Sequence, residues 1–277
     1  MLFCPGGRPE VVAKLARFRA DVSVVDLEDA VAPADKQAAR RTAVAAIGSL
    51  RGAAPDLAVF LRVNGTATGW FADDVAVAVD SAATGIVLPK LSAPAQAVRL
   101  RDLLDRAGRS DVPIIGGIET GVGVLRCEDL AAGPVDAVYF GAEDLMADVG
   151  GRRTRSGGEV LYARSRVLLA AAVAGLPALD QVVTDFADLE RFRSDAEVGR
   201  DLGYTGKMCI HPGQVELAHQ VFTPSVAAVA HAEAVLAAYE RAAEAGAGGV
   251  AVVDGAMIDG PHVAAARRVI DSAANVG

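Results

Sequence analysis

The 277-residue sequence predicts an α/β fold: a (β/α)8 barrel, the TIM barrel, followed by a C-terminal helical extension. Three observations predict it. Eight short apolar runs alternate with longer Ala-rich helical stretches. The runs end in polar residues, as strands opening into a barrel mouth do. No Gly-x-Gly-x-x-Gly turn marks an open dinucleotide-binding sheet; "GGIETGVG" lies mid-chain and lacks that spacing.

In chain order the runs are "MLFCPG", "DVSVVDLED", "LAVFLRVNG", "TGIVLPK", "VPIIGGIET", "DAVYFGAED", "LPALDQVV" and "GKMCIHPG". Between them the patterning predicts helices such as Pro9 to Ala20, Asp35 to Ser49, Ala93 to Ala107 and Glu159 to Ala174. Eight such units fill residues 1–223, the barrel domain. Residues 224–277 exceed what a barrel needs. They read as a helical extension, broken at "EAGAGG" and ending in "VAVVDGAMIDGPHV" and a last helical stretch.

Composition narrows the function classes. The chain is 52% apolar, with no polar low-complexity block. A net charge of −8 is unsuited to general nucleic-acid binding, which needs clustered Lys and Arg. No apolar run reaches the roughly 18 residues of a membrane helix, and "MLFCPGGRPE" lacks the basic start of a signal peptide, so a cytoplasmic location and no membrane partner are expected. Cys4, Cys127 and Cys209 show no Cys-x-x-Cys spacing and read as buried structural thiols.

The ends of the runs carry Asp26, Glu28, Asp29, Arg62, Asn64, Lys90, Glu119, Glu143, Asp144, Asp180 and His211. Glu119 and Asp144 lie 25 residues apart, one βα repeat, on neighbouring strands about 4.7–4.9 Å apart. They either face one ion at the mouth or serve as helix caps and Arg partners. Hard oxygen ligands without His or Cys favour Mg²⁺ over zinc. Arg62 closes an apolar run, placing its guanidinium at the mouth, either to grip a carboxylate or enolate oxygen or to pair with a strand-two acid. Glu28 and Asp29 are candidates for orienting metal waters or Arg62, with helix capping the alternative for Asp29. His211, before Pro212, either bonds a ligand or fixes its loop. His219, His231 and His262 read as surface residues.

Together, "LFCPGGRPE", "DLEDAVAPADKQAAR", "RVNG", "LPK", "GGIETGVGV", "YFGAEDL", "RTRSGGEVLYARSRVLLAAAVAGLPALD", "CIHPGQV" and "DGAMIDGP" resemble the citrate lyase β-subunit-like branch of the aldolase/citrate lyase superfamily, in order from residue 2 to about 265. The resemblance implies a (β/α)8 barrel with a helical extension, assembled as homotrimers or multiples of them. It implies Mg²⁺-dependent lyase or thioesterase chemistry on a CoA or acyl-carrier thioester, with a small 2-oxo acid as the other product of cleavage. It makes Glu119 and Asp144 the metal ligands and Arg62 the substrate-binding arginine. Phe3, Arg8, His211 and Pro212 would line the acyl-CoA site. Asp259 would be the catalytic acid/base, on an extension that acts as a lid and packs on a neighbouring subunit. One position departs: Ala256 precedes Met257 where similar proteins often have Lys, so no CoA contact carries over to that loop.

Overall fold

A computed structural model of the protein describes residues 1–244 and 249–274. Eight parallel strands form one sheet in sequence order. They are β1 (Leu2–Pro5), β2 (Ser23–Asp26), β3 (Val59–Arg62), β4 (Gly85–Leu88), β5 (Ile114–Ile118), β6 (Ala137–Phe140), β7 (Ala178–Asp180) and β8 (Gly206–Lys207). Each lies inside one of the eight predicted runs. The sheet curls until its ends meet: Phe3 N donates to Cys209 O at 2.9 Å and Cys209 N to Met1 O at 2.8 Å. The fold is therefore the TIM-barrel type.

The interior is packed. Met1, Val24, Phe60, Val87, Ile115, Tyr139 and Met208 converge as one buried cluster, filling the barrel as side-chain layers do in this architecture. Side chains alternate faces along a strand, so the next inward positions lie two residues further toward the C-terminal ends. From Met1, Val24, Phe60, Tyr139 and Met208 this step reaches Phe3, Asp26, Arg62, Gly141 and Ile210. All five line the pocket at the mouth. The period of the strands thus delivers core and site in successive layers.

The surrounding helices largely match expectation. The second predicted one is Lys36–Ala53, the Ala-rich third begins with Pro94 at its first position, and Leu161–Ala174 follows a 3₁₀ turn. The first does not run unbroken. It is a four-residue helix, Pro9–Val12, then a 3₁₀ turn, Leu15–Phe18, ended by Arg19 in the left-handed region at φ 51°.

Between β7, β8 and the outer helices lies a buried charged network. Lys207 Nζ donates to Asp180 Oδ2 at 2.9 Å, Asp195 Oδ2 at 2.5 Å and Gln181 O at 2.8 Å. Arg164 grips Asp180 with Nε at 2.8 Å and Nη2 at 2.5 Å, and reaches Asp195 Oδ1 with Nη1 at 3.2 Å. Burial raises the Asp195 carboxyl, but Lys207 and Arg164 outweigh it and hold it below the usual carboxylate range. Asp180, one of the polar strand-end residues, is consumed here and takes no part in the mouth.

The described chain divides into two compact units, Met1–Ala218 and His219–Gly277. The second contains the helices Val226–Glu244 and Gly260–Ala274. It also contains an antiparallel hairpin, β9 (Ala251–Val253) and β10 (Ala256–Ile258), where a purely helical extension was expected. The cause is local: Asp254 and Gly255 have φ 49° and 78°, the left-handed pair a two-residue hairpin turn requires. Ala232, Val235, Ala251, Ile258, Val263 and Ala266 form this unit's core. The stretch 213–244 is long and apolar enough to cross a membrane by length and composition alone. It is two helices, however, interrupted after Phe222, and it places Ala232 and Val235 in a protein core. The "EAGAGG" break lies largely outside the described residues.

Candidate active site

Glu119 follows β5 directly and is only 2% exposed. Its Oε1 accepts two hydrogen bonds, from Lys90 N at 2.8 Å and Tyr139 OH at 2.9 Å. Burial pushes this carboxyl up to about 8, with the neighbouring Glu28 and Asp144 charges adding to the shift and Arg62 opposing it. Two glycines make the arrangement possible. A Cβ at Gly117 would collide with the Tyr139 ring, and one at Gly141 with the Glu119 carboxylate. Gly141→Ala is therefore expected to displace Glu119 and cost at least about tenfold in activity, by analogy with outer-shell changes at metal sites. Thermal melting alongside steady-state rates checks it: a normal rate would show that Glu119 needs no fixed position.

Asp144 sits not on strand β6 but in the first turn of the helix Ala142–Val149, whose N-cap is Gly141. That position favours a carboxylate, because unpaired N–H groups and the helix dipole face it. Its Oδ1 meets Lys90 Nζ at 3.2 Å.

Arg62 holds Asp26 as a fork, Nε to Oδ1 and Nη2 to Oδ2, both at 2.7 Å, while Nη1 lies 3.1 Å from Glu28 Oε2. Pairing with strand-two acids is thus realised in this structure. The guanidinium also packs over the Phe3 ring, 5.0 Å from its centroid, and remains on the pocket wall. Asp26 additionally accepts from Glu28 N at 2.8 Å and Ala30 N at 3.1 Å, so it, and not Asp29, organises the turn after β2.

Lys90 has a larger part than its place at the end of a run indicated. Its backbone is left-handed, φ 54°, a conformation non-glycine residues seldom adopt. From there its N–H holds Glu119 while Nζ reaches Glu28 Oε1 at 2.8 Å, Asp144 Oδ1 at 3.2 Å and Asp29 at 3.4 Å. Despite partial burial, these acids hold the ammonium well above its ordinary range. The signal available in the sequence was a lysine closing an otherwise apolar strand, "GIVLPK". Tyr139 and Gly141 gave no signal of their own.

These residues surround a pocket of about 340 Å³, lined by Asp26, Asp29, Arg62, Glu119, Glu143 and Asp144. Apolar residues, including Phe3, Val182, Met208 and Ile210, line it as well. Glu28 is buried, with its Oε1 paired to Lys90 and its Oε2 to Arg62. Arg8, His211 and Pro212 are not among the lining residues. Arg8 is exposed and precedes the helix Pro9–Val12, and the exposed His211 follows β8 and accepts from Gly213 N through Nδ1 at 3.1 Å. Asp259 belongs to the C-terminal unit, where its Oδ1 pairs with His262 Nδ1 at 2.6 Å. His262, read from sequence as a surface residue, is thus the partner of a candidate catalytic acid.

Among the described residues, no group of three or more His, Cys, Asp or Glu forms a metal cage. The donor set fits Mg²⁺ nonetheless, because that ion takes one or two carboxylates and completes its shell with water and substrate oxygens. Glu119 and Asp144 would supply the carboxylates. Burial, reinforced by the Glu28 and Asp144 charges, raises the Glu119 carboxyl, and a bound cation would offset that cost.

A parallel barrel with acids and an arginine at the C-terminal ends of its strands has the layout of an enzyme of the TIM-barrel class. Residues 1–212 match the family model described as HpcH/HpaI aldolase/citrate lyase. The chain belongs to this family of carbon–carbon lyases. It is 47% identical over 273 residues to a citrate lyase subunit beta-like protein of Deinococcus radiodurans, covering 98% of this chain and 95% of the relative. It is 35% identical over 278 residues to a (3S)-malyl-CoA thioesterase of Cereibacter sphaeroides, covering 99% and 93%. Among solved structures, protein CitE of Mycobacterium tuberculosis in complex with magnesium, acetoacetate and coenzyme A superposes with a TM-score of 0.82 at 32% identity, covering 99% of this chain and 97% of that one.

Proposed function

We propose that the protein is a Mg²⁺-dependent acyl-CoA lyase that cleaves or forms a carbon–carbon bond in a short 3-hydroxydicarboxylyl-CoA of the malyl or citramalyl kind. The observation that carries this reading is the make-up of the pocket: Glu119, Asp144 and Arg62 line it together with the apolar Phe3, Val182, Met208 and Ile210. The carboxylates and the arginine suit a metal and an acid group, the apolar residues the thioester arm.

In this reading Glu119 and Asp144 hold Mg²⁺. The ion, when bound, supplies Lewis-acid polarisation to the oxygens of a 2-oxo or 2-hydroxy acid unit. Glu28 and Asp29, tied to Lys90 and Arg62, keep the charged residues in position. In cleavage the substrate hydroxyl gives its proton to water, its carbon becomes the carbonyl of the 2-oxo acid, and the carbon–carbon bond breaks. Its electron pair passes to the α-carbon of the thioester, and Arg62 stabilises the resulting enolate oxygen. Asp259 returns a proton to that carbon, and in synthesis removes it. Phe3, Arg8, His211 and Pro212 contact the acyl-CoA.

The assay that tests this is product analysis by mass spectrometry on a panel of acyl-CoA esters, with Mg²⁺ and with EDTA. The expected result is a shorter acyl-CoA plus a 2-oxo acid such as glyoxylate or pyruvate, lost on chelation. A hydroxy acid plus free CoA would instead make it a thioesterase, a second reading favoured by its similarity to the malyl-CoA thioesterase. Turnover that requires an acyl-carrier protein would make it the β-subunit of a citrate lyase complex, a reading favoured by the Deinococcus relative.

The proposal includes a cytoplasmic homotrimer, or a multiple of it, in which the extension acts as a lid and Asp259 serves a neighbouring subunit. One feature supports self-association. The helix Leu161–Ala174 leaves Tyr162, Leu169 and Val173 at 69%, 65% and 90% exposure, an apolar face unusual for water contact. Mixing inactive Asp259→Asn with inactive Glu119→Gln under subunit exchange should restore activity. No recovery despite demonstrated exchange would keep Asp259 within its own chain or remove it from catalysis.

A further inference from the structure

Lys90 is fastened to the barrel at its root and to acids at its tip. At the root, Lys90 N donates to Glu119 Oε1 at 2.8 Å, and the next amide, that of the fully buried Leu91, donates to Gly117 O at 2.8 Å. Two successive N–H groups are thus pinned to β5 and the residue that follows it. A left-handed backbone at a residue with a side chain, φ 54° here, persists only where the surroundings over-determine it, and these two bonds do so. From that anchor a flexible four-carbon stem carries Nζ to Glu28 Oε1 at 2.8 Å, Asp144 Oδ1 at 3.2 Å and both Asp29 carboxylate oxygens at 3.4 Å.

The neighbouring cations are engaged elsewhere. Arg62 holds both oxygens of Asp26 and Oε2 of Glu28, and Arg153 donates to Glu143 Oε1 at 2.9 Å. Lys90 is the cation that reaches Asp144. Its side chain is 35% exposed and that of Asp144 32%, so this contact is partly open to water and can part without disturbing the core. No step of the proposed reaction uses the ammonium.

A divalent ion on Asp144 would lie within a few ångströms of this ammonium, whichever carboxylate oxygen it took. Like charges that close repel, and more strongly in a partly buried pocket than in water. We infer that Lys90 is a resident counter-cation of the metal site: its ammonium neutralises the acids of the mouth in the metal-free protein and competes with Mg²⁺ for Asp144. The inference rests on the reading of Glu119 and Asp144 as metal ligands and deepens it by naming the group that limits their affinity. Because the root is pinned, the competition needs only rotation of the stem, and the N–H that holds Glu119 stays in place throughout.

The test is Mg²⁺ binding itself, with no substrate present. Calorimetric titrations compare the wild-type protein with Lys90→Gln, which removes the charge, and Lys90→Arg, which keeps it; both retain the backbone N–H. Lys90→Gln is expected to bind Mg²⁺ about 10- to 100-fold more tightly, the scale on which neighbours of metal ligands move metal affinity. Its melting temperature should accordingly rise more on addition of Mg²⁺ than that of the wild type. Lys90→Arg should stay close to the wild-type affinity. Unchanged or weaker binding in Lys90→Gln would overturn the inference, the weaker result making Lys90 a holder of Asp144 for the metal. An equal gain in Lys90→Arg would overturn it as well, since the effect would then be one of shape. Should Lys90→Gln fail to fold, the wild-type protein decides: Mg²⁺ is expected to raise labelling of Lys90 by an amine-reactive reagent, read by peptide mass spectrometry, and unchanged or reduced labelling would count against competition. The underlying readings fail separately. If neither the wild type nor Lys90→Gln binds Mg²⁺, the two carboxylates are not its ligands and the counter-cation falls with them. Tighter metal binding in a protein that turns over no acyl-CoA ester keeps the counter-cation and removes the lyase.

Discussion

Glu119→Gln and Asp144→Asn are each expected to abolish Mg²⁺-dependent turnover while the barrel stays folded. In Glu119→Gln the new amide oxygen would still accept from Lys90 N and Tyr139 OH, so the shape of the mouth survives and only the anionic charge is removed. Replacing a mere outer-shell partner of a metal ligand typically costs about 10- to 100-fold, so losing a ligand's charge should exceed that. The check is a calorimetric Mg²⁺ titration of both variants beside their rates. If both retained wild-type metal affinity, the assignment of the two carboxylates would be wrong.

Lys207→Met should be the most destabilising single change in the barrel. Lys207 is 1% exposed and neutralises Asp180 and Asp195 at the β7–β8 junction, so its removal leaves Arg164 alone against the buried Asp180 and the half-buried Asp195. Breaking a buried ion pair from one side typically costs about 3–5 kcal/mol. The effect has a definite pH dependence. The Asp195 carboxyl is depressed in the folded protein, so its contribution is present above the unfolded value of about 3.9 and disappears as pH falls through the lower folded value. The deficit of Lys207→Met against wild type should therefore be full at neutral pH and shrink in acid. Denaturant unfolding at pH 7 and below pH 4 measures it, and a constant or acid-widened gap would show that the network does not act through charge.

The barrel was legible because its signals are local and repeated: eight apolar runs, each ending where a strand ends. Glu119 and Asp144 were legible as a pair because one βα repeat separates them and adjacent strands must be neighbours. What escaped was set by geometry across strands. Nothing in "GIVLPK" announces that Lys90 turns left-handed and spans from Glu119 to Asp144, nor that Tyr139 reaches back over Gly117. Asp144 was placed on a strand because β6 runs into its helix through a single glycine, leaving no polar loop to mark the boundary. The β9–β10 hairpin was the opposite case. Its Asp254–Gly255 turn stood in plain view but was overshadowed by the Ala-rich helices around it.

The seam of the barrel has a consequence for how the protein is made. The amino group of Met1 donates to the carbonyl of Lys207, 206 residues along the chain, and β1 meets Cys209 just beyond. That pairing closes the longest loop in the barrel, and contacts of such sequence separation form late and slowly. During synthesis β1 must wait with one edge unpaired until β8 has left the ribosome. Phe3 and Cys4 stand on one side of this seam and Met208 and Ile210 on the other, and all four line the pocket. A nascent chain stopped short of β8 would carry both candidate metal carboxylates and Arg62, yet lack Met208 and Ile210, which complete the pocket beside them.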